Sequence, residues 1–208
     1  MSSMRPIVIL GPTASGKSDV AMAVAESVGG RIIAADAMQV YRRMDIGTAK
    51  PSLADQRRVV HACIDLCEPS ERSTVARYMT AYGEALAECR QAGAQPLVVG
   101  GTGLYITAVV DGLNLPGEWP EIRQELELEP DTVALHGRLA ALDPLAATRM
   151  EPTNRRRVIR ALEVTLGSGR SFSSFGEGVA TYPPTETRQI GIRWTRTALA
   201  ERIARRVH

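Results

Sequence analysis

The sequence from Pro6 to Ser18 is PIVILGPTASGKS, an apolar run followed at once by a glycine-rich loop. The run Pro6–Leu10 is rich in β-branched residues, as expected of a buried parallel strand. Asp19–Val28 follows with alanines and valines at helical spacing. The loop matches G-x-x-x-x-G-K-[ST] between a strand and a helix, the context in which this motif of ATP- and nucleotide-binding proteins cradles phosphates.

Each part of this loop can help to hold an anion. Glycines let backbone N–H groups turn toward a phosphate, and the N-terminus of the following helix adds a partial positive charge. Lys17 supplies a full positive charge, and the hydroxyl of Ser18 can bind Mg²⁺. We therefore predict a diphosphate or nucleotide site, with Ser18 as metal ligand, formed by Gly11, Pro12, Thr13, Ala14, Ser15, Gly16, Lys17 and Ser18.

A second predicted strand, Arg31–Ala35, ends at Asp36. Ligands of parallel sheets bind at the carboxyl ends of the strands, so Asp36 should lie on the same edge as the glycine-rich loop. A carboxylate there can bind magnesium or accept a proton from a substrate nucleophile. The alternative is that Asp36 only caps the turn that follows it.

The composition describes a globular chain of one α/β domain with room for a small insertion. It has 208 residues, of which 44% are hydrophobic and 23% charged, a balance that excludes a disordered protein. No apolar run has the length of a membrane helix, and the N-terminus does not resemble a signal peptide. We therefore expect no membrane partner. The three cysteines, Cys63, Cys67 and Cys89, do not suggest a framework of disulfide bonds, so we expect a cytoplasmic protein.

Positive charge is concentrated in the last part of the chain. Residues 1–148 hold 13 basic and 18 acidic side chains, whereas residues 149–208 hold 12 basic and 5 acidic ones. All 12 of these basic residues are arginines, whose planar donor groups match phosphate oxygens. The pattern is compatible with a nucleic-acid partner, and also with a solvated helix face in a protein that uses arginine throughout.

Several further blocks occur in a specific order along nearly the whole chain. They are Asp36–Tyr41 (DAMQVY), Met44–Pro51 (MDIGTAKP), His61–Pro69 (HACIDLCEP), Pro96–Tyr105 (PLVVGGTGLY), Asp143-Pro144 and Pro152–Val164 (PTNRRRVIRALEV). In these blocks the chain resembles the tRNA dimethylallyltransferases, also called tRNA isopentenyltransferases. A glycine-rich phosphate loop alone would not have indicated this family.

The resemblance implies a transferase. Such enzymes move a dimethylallyl group from dimethylallyl diphosphate to the exocyclic N6 amine of the adenosine 3′ of the tRNA anticodon. The glycine-rich loop would then hold the allylic diphosphate, with Mg²⁺ as cofactor. The implied partners are dimethylallyl diphosphate and the anticodon stem-loop of tRNA, and we expect the protein to act as a monomer.

The resemblance also implies roles for individual residues. Asp36 would be the general base and Thr102 would lie beside the target adenosine, while Lys17 and Arg206 would act on the diphosphate. Those that would bind tRNA are Asp36, Ala37, Met38, Gln39, Thr102, Arg123, Arg156, Arg157 and Arg160. Two alternatives stay open, because Thr102 could instead cap a helix and the arginines of 155–160 could form an exposed helix face.

The sequence departs from the family pattern in three places. Ala37 stands where the family usually has serine, which removes one hydroxyl next to the expected base. Residues 152–154 are Pro-Thr-Asn instead of Pro-Asn-Asp. The family usually continues beyond the position of His208 with a further part that contacts tRNA, so we expect this chain to be truncated or naturally short.

The predicted fold is α/β, a P-loop NTPase-like parallel sheet flanked by helices with a small helical insertion. Residues 1–112 form the first part of the core, 113–142 the helical insert that grips tRNA, and 143–208 the return to the core with arginine-rich helices. Proline residues punctuate the insert, where the strand pattern disappears. The predicted strands are Pro6–Leu10, Arg31–Ala35, Ala62–Leu66, Pro96–Val99 and Arg188–Trp194. The predicted helices include Val75–Gln91, Arg155–Leu166 and Leu199–Val207.

Two other functions remain open on the residues alone. A small-molecule kinase of the shikimate- or adenylate-kinase type shares the phosphate loop, an acid after the second strand and late arginines. An RNA-binding module that uses a nucleotide without chemistry is the second alternative. The strand before Gly100 does not end in the aspartate typical of ATP hydrolysis, although Asp65 could substitute for it.

Overall fold

The computed structural model describes residues 5–113, 116–176, 185 and 187–207. The chain divides into two compact units, Met1–Gly112 with Pro183–His208, and Leu113–Tyr182. The strands are β1 (Ile7–Leu10), β2 (Gly30–Ala35), β3 (His61–Ala62), β4 (Gln95–Gly100) and β5 (Arg188–Gly191). The helices are α1 (Lys17–Val28), α2 (Leu53–Arg58), α3 (Val75–Gln91), α4 (Gly103–Asp111), α5 (Pro120–Leu128), α6 (Thr132–Leu142), α7 (Pro144–Thr148), α8 (Arg155–Ser168) and α9 (Arg196–Val207).

The first unit is built on a five-stranded sheet in the order β3-β2-β4-β1-β5. All of the strand pairs are parallel, so every described strand ends at the same edge of the sheet. The central strands β1, β2 and β4 are largely buried, which explains why they are continuous apolar runs instead of alternating ones. The prediction of an α/β fold with a parallel sheet is confirmed.

Both faces of the sheet are covered by helices. Successive side chains of a strand point to opposite faces, so neighbouring residues enter different cores. The core under α3 includes Val8, Ile33, Val98 and Tyr78. The core under α1 includes Ile9, Ile32, Leu97, Ala21 and Ala25.

The predicted strand Ala62–Leu66 is largely wrong. β3 contains only His61 and Ala62, because Cys63 and Asp65 have φ values of 60° and 54° and turn the chain away from the sheet. The backbone N–H groups of Leu66 and Cys67 donate instead to the carbonyl of Val40. β5 is likewise shorter than predicted and ends at Gly191, whereas the helix Val75–Gln91 was predicted with its correct bounds.

The second unit is helical and extends further than the predicted insert of residues 113–142. Its core is made of apolar residues from α5 to α8, among them Leu126, Leu135, Leu139, Ala146, Val158 and Leu162. Residues 143–176 therefore pack with the insert, since α7 and α8 bury their apolar faces on α5 and α6. The sequence division at residue 142 overlooked this shared core.

Asp143 connects two segments of the helical unit. The side chain is 2% exposed and accepts hydrogen bonds from the backbone N–H groups of Ala146 and Ser173 and from the Ser173 hydroxyl. Burial opposes ionisation, but these hydrogen bonds outweigh it and lower the pKa of Asp143. Asp143 thus caps α7 and fixes the segment after α8.

Candidate functional site

The glycine-rich loop lies between the end of β1 and the start of α1. Ala14 and Gly16 have φ values of 59° and 88°, a left-handed conformation that folds the loop around its own N–H groups. A Cβ atom on Gly11 would lie 2.8 Å from the Ser15 hydroxyl, so only glycine fits there. The Ser15 hydroxyl is itself buried and has no hydrogen-bond partner among the described residues. The loop therefore has the form of an anion cradle at the N-terminus of α1.

Lys17 lies over this loop. Its ammonium group donates to the carbonyl of Pro12 at 3.2 Å, and a Cβ atom on Gly101 would lie 3.6 Å from it. Burial lowers the pKa of Lys17, Arg206 lowers it further, and the negative charge of Asp36 opposes both. Partial desolvation leaves this cation poorly satisfied without an anion, which favours binding of a phosphate group.

Asp36 begins a tight turn at the end of β2. Its Oδ1 atom accepts hydrogen bonds from the N–H groups of Met38 at 2.8 Å and Gln39 at 3.4 Å. Asp36 therefore does cap the turn that follows it, as the alternative interpretation of the sequence predicted. The other carboxylate oxygen makes no hydrogen bond to any residue that the structure describes, and Asp36 lines the same cavity as Lys17. One carboxylate can thus both order its turn and face a substrate.

Thr102 connects the ends of β4 and β2. It occupies the position before α4, but its hydroxyl does not cap that helix and instead accepts a hydrogen bond from the Ala37 N–H at 3.0 Å. The helix-cap alternative is therefore wrong for the side chain. A Cβ atom on Gly100 would lie 2.1 Å from the Ala35 carbonyl oxygen, so this glycine permits a close approach between the two strands. Threonine and aspartate are held next to each other as a result.

Arg206 lies beside the loop although it is near the end of α9. Its guanidinium donates to the hydroxyl of Thr13 at 2.8 Å. The side chain also lines the cavity that contains Lys17. A second cation is therefore placed at the loop, on the side of Thr13.

Arg202 and Trp194 also hold the loop, and the sequence did not indicate either contact. The Arg202 guanidinium donates to the carbonyl of Ala14 at 2.7 Å and stacks over the Trp194 ring at 4.5 Å. The indole N–H of Trp194 donates to the carbonyl of Ser15 at 2.9 Å. The four-residue spacing of Arg202 and Arg206 signals that they share a helix face, but not that this face covers the loop.

These groups surround one cavity of about 930 Å³. Its lining includes Thr13, Ala14, Ser15, Gly16, Lys17, Ser18, Asp36, Met38, Gln39, Thr102, Arg202, Arg205 and Arg206. Positive charge from the loop lysine and the arginines of α9 lies around the loop, while Asp36 and Thr102 lie at the ends of β2 and β4. The arrangement can bind an anionic leaving group and a proton-donating acceptor at the same time.

The lining is compatible with a magnesium ion only if the substrate supplies some of the ligands. No cluster of three or more histidine, cysteine or acidic residues that could hold a metal occurs among the described residues. Oxygen donors are nevertheless present, since Ser18, Asp19 and Asp36 line the cavity. Magnesium commonly binds through one or two protein oxygens together with phosphates and water. Asp65, which could have substituted for the missing aspartate, is paired with Lys50 and is not among the residues that line the cavity.

The segment from Met44 to Pro51 packs against the turn of Asp36 and was not assigned a role by the sequence. The amide of Gln39 donates to the carbonyls of Thr48 and Ala49 at 3.2 Å and 2.9 Å. The Gln39 side chain, predicted to bind tRNA, is therefore engaged within the protein. Met38, its neighbour, is 48% exposed and remains free to contact a large partner.

The predicted tRNA-binding arginines lie in the helical unit and differ in their surroundings. Arg123 and Arg160 pair with the fully buried carboxylate of Glu163, at 2.5 Å and 2.9 Å. Burial opposes ionisation of Glu163, but the Trp119 N–H, which donates to it, and the two arginines together lower its pKa. Arg156, by contrast, is exposed.

A groove of about 290 Å³ in this unit brings basic side chains together. It is lined by Arg123, Glu127, Arg155, Arg156 and Ile159. Arg155 donates to the carbonyls of Glu127 and Pro130, whereas Arg157 is exposed like Arg156. The first turn of α8 thus combines fixed and exposed arginines, a pattern suited to a phosphate backbone.

None of the described helices is both long and apolar enough to cross a lipid bilayer.

Comparisons with known proteins agree on one family. A family model described as IPP transferase matches residues 39–208, and one described as isopentenyl transferase matches residues 4–65. A tRNA dimethylallyltransferase of Chloroflexus aggregans is 44% identical over 97% of this chain and 69% of its own length. That of Pelotomaculum thermopropionicum is 43% identical over 97% of this chain and 65% of its own length.

Solved structures show the same relationship. A tRNA isopentenylpyrophosphate transferase of Bacillus halodurans is 36% identical with a TM-score of 0.62, covering 98% of this chain and 65% of that one. A eukaryotic dimethylallyltransferase acting on tRNA is 26% identical with a TM-score of 0.82, covering 98% of this chain and 52% of that one. This chain spans about two thirds of the length of its bacterial relatives and about half of the eukaryotic protein.

These relatives are prenyl-transferring enzymes, and they do not favour the small-molecule kinase alternative. The phosphate loop, the parallel sheet and the blocks quoted above all lie within the matched region. The chain belongs to the IPP transferase family, the family of the tRNA dimethylallyltransferases.

Proposed function

We propose that this protein transfers a dimethylallyl group from dimethylallyl diphosphate to the N6 amine of the adenosine 3′ of the anticodon in tRNA. The proposal rests mainly on one observation. A single cavity is lined both by an anion cradle that includes the positively charged Lys17 and by the negatively charged carboxylate of Asp36. The free cysteines are consistent with action in the reducing environment of the cytoplasm, where tRNA is modified.

The cradle would bind the leaving group. Cleavage of the allylic carbon–oxygen bond places additional negative charge on the departing diphosphate. The ammonium of Lys17 and the guanidinium of Arg206, which donate to the Pro12 carbonyl and the Thr13 hydroxyl of the loop, would stabilise this charge together with the backbone N–H groups of the loop. Fixed donors of this kind stabilise a developing anion without having to reorganise, and each is worth about 3 kcal/mol in comparable sites.

Magnesium would strengthen this effect. When bound, Mg²⁺ neutralises charge on the diphosphate oxygens as a Lewis acid. The residues that would hold it are Ser18, at the start of α1, and the nearby carboxylate of Asp19 or Asp36. The remaining positions would be filled by diphosphate oxygens and water.

Asp36 and Thr102 would act on the acceptor. The lone pair of the adenine amine is delocalised into the ring, so the amine becomes a good nucleophile only as its proton leaves. The Asp36 carboxylate would accept that proton. Thr102, fixed by its hydrogen bond from the Ala37 N–H, would lie against the adenine and limit its orientation.

The helical unit would hold the tRNA. Arg156 and Arg157 are exposed and would contact backbone phosphates, while Arg123 and Arg160 would contribute from positions fixed by Glu163. Phosphate contacts of this type position an RNA without reading its bases. The target adenosine would have to leave its stack to enter the cavity.

The proposal is tested by incubating the protein with labelled dimethylallyl diphosphate and an anticodon stem-loop that has an adenosine at the target position. We expect label in the RNA, and none when that adenosine is replaced by guanosine or when the protein is omitted. A parallel reaction with ATP and labelled γ-phosphate examines the kinase alternative. Phosphorylation of a small metabolite without prenyl transfer would overturn the proposal.

Replacing Arg206 by alanine should weaken binding of dimethylallyl diphosphate. The lost contact is a charge-assisted hydrogen bond at the edge of the cavity, and such a loss corresponds to about a tenfold change in Kd. Arg196→Ala is the matched control, because it removes an exposed arginine from the same helix at a position that does not line the cavity. Equal affinities of the Arg206→Ala variant and the parent, measured by calorimetry, would exclude Arg206 from the diphosphate site.

A further inference from the structure

The side chain of Lys50 is buried at the centre of a hydrogen-bond network, and neither the motifs nor the proposed reaction gives this residue a role. Its side chain is 4% exposed, although lysine is normally a surface residue. All three ammonium hydrogens have acceptors, namely the Tyr41 carbonyl at 2.7 Å, Asp45 at 2.8 Å and Asp65 at 2.7 Å. Removal of this cation would leave two carboxylates and a carbonyl without their partner.

The three acceptors of Lys50 come from three different segments. Tyr41 ends the turn that begins with Asp36, Asp45 lies in the following loop, and Asp65 lies in the left-handed bend after β3. The same segments are connected by other bonds, since the Asp65 N–H donates to the Gln39 carbonyl at 3.1 Å. Lys50 thus connects the far end of the Asp36 turn to both of its neighbours.

The near end of the turn depends on Asp36 itself. Oδ1 of Asp36 is fixed by the N–H groups of Met38 and Gln39, so the direction of the carboxylate follows the path of residues 36–41. The amide of Gln39 is in turn bonded to Thr48 and Ala49, which directly precede Lys50 in sequence. A shift of the 44–51 segment therefore moves the turn, and with it the carboxylate that faces the cavity.

We propose that Lys50 is a positioning residue, which holds the turn of residues 36–41 so that the Asp36 carboxylate is aligned for proton transfer. The proposal rests on the function given above for Asp36. Lys50 lines the same cavity as Asp36, but its ammonium is occupied by three protein acceptors, and its hydrogen bonds lead to Asp36 through Tyr41 and Gln39. It therefore acts on the rate of the chemical step and not on the diphosphate.

The kinetic test uses Lys50→Met in two backgrounds. Misplacement of a reacting group by about 1 Å costs about 100-fold in rate, so Lys50→Met should lower kcat by about that factor with little change in KM for dimethylallyl diphosphate. In an Asp36→Asn background the same substitution should have almost no further effect on kcat, because the group that it positions is already absent. Equal losses in both backgrounds would overturn the proposal.

A second measurement does not depend on activity. Hydrogen exchange should be faster in residues 36–41 of the Lys50→Met protein, while β2 and the glycine-rich loop keep their protection. Asp65→Asn, which removes one charge but keeps an acceptor, should produce the same change to a smaller extent and guards against a failure of Lys50→Met to fold. Arg58→Met is the control, because it breaks an exposed ion pair with Glu26.

The two proposals fail in different ways. Absence of prenyl transfer by the parent protein contradicts the proposed function, whereas unchanged exchange of residues 36–41 in both Lys50→Met and Asp65→Asn contradicts the role of Lys50. Faster exchange throughout the first unit would also overturn it, since Lys50 would then only stabilise the fold.

Discussion

Replacing Asp36 by asparagine should lower the single-turnover rate of prenyl transfer by about 10²- to 10⁴-fold, the usual contribution of a general base. Asparagine is the informative substitution, because its side-chain oxygen can still accept the hydrogen bond that Asp36 accepts from Met38. The turn is thereby retained while the proton acceptor is lost. Asp36→Ala removes both and should reduce the rate at least as much.

Binding measurements separate this role from a structural one. Affinity for the anticodon stem-loop should persist in Asp36→Asn, since the proposed phosphate contacts of the arginines would supply most of the binding free energy. Affinity for dimethylallyl diphosphate measured without Mg²⁺ should not decrease, because removal of a negative charge beside Lys17 favours the binding of an anion. Comparable single-turnover rates of parent and variant would remove Asp36 from the role of base.

The parts of the fold that follow from local sequence were predictable. The segment Pro6–Ser18 predicts a strand, a phosphate loop and the start of a helix, because its apolar run, its glycines and its lysine all indicate this same strand–loop–helix arrangement. The parallel sheet then follows, and with it the placement of Asp36 and Thr102 at one edge. The amphipathic pattern of Val75–Gln91 is long enough that tertiary contacts do not alter its bounds.

Contacts between distant segments were not predictable in the same way. Residues 62–66 have the composition of a strand, but Cys63 and Asp65 adopt left-handed conformations in a segment whose N–H groups bond to Gln39 and Val40, 26 or 27 residues earlier. The division at residue 142 failed because α8 buries its apolar face on helices on both sides of that division.

The supporting side chains of the site show the same limit. Lys50 belongs to the DIGTAKP block, yet a lysine in a loop is normally expected to be solvated, and only the structure shows its three acceptors. The contact of Arg202 with the loop spans 188 positions of sequence and has no local signal. The sequence therefore predicted the site residues that belong to a motif. It did not predict the residues, such as Lys50 and Arg202, that hold the motif in place.

Replacing Lys17 by methionine should weaken binding of dimethylallyl diphosphate and lower kcat, together by about 10²- to 10³-fold, the effect of removing one fixed donor from an oxyanion site. Methionine preserves the length of the side chain, so the loss reports the charge and its hydrogen bonds. Lys17→Arg, the matched control, keeps the charge but on a larger planar group, and should recover only part of the affinity.

The pH dependence of binding gives an independent signature of Lys17. Burial, together with Arg206, lowers the pKa of Lys17 against the opposing effect of Asp36, so the positive charge is lost at a lower pH than for an ordinary lysine. Affinity for dimethylallyl diphosphate should therefore fall as pH rises through this lowered pKa, and the Lys17→Met protein should lack that decrease. Calorimetric titrations of both proteins from neutral to alkaline pH measure it. Parallel pH profiles would show that the cation of Lys17 does not bind the diphosphate, and the anion cradle would then have to act through its backbone and arginines alone.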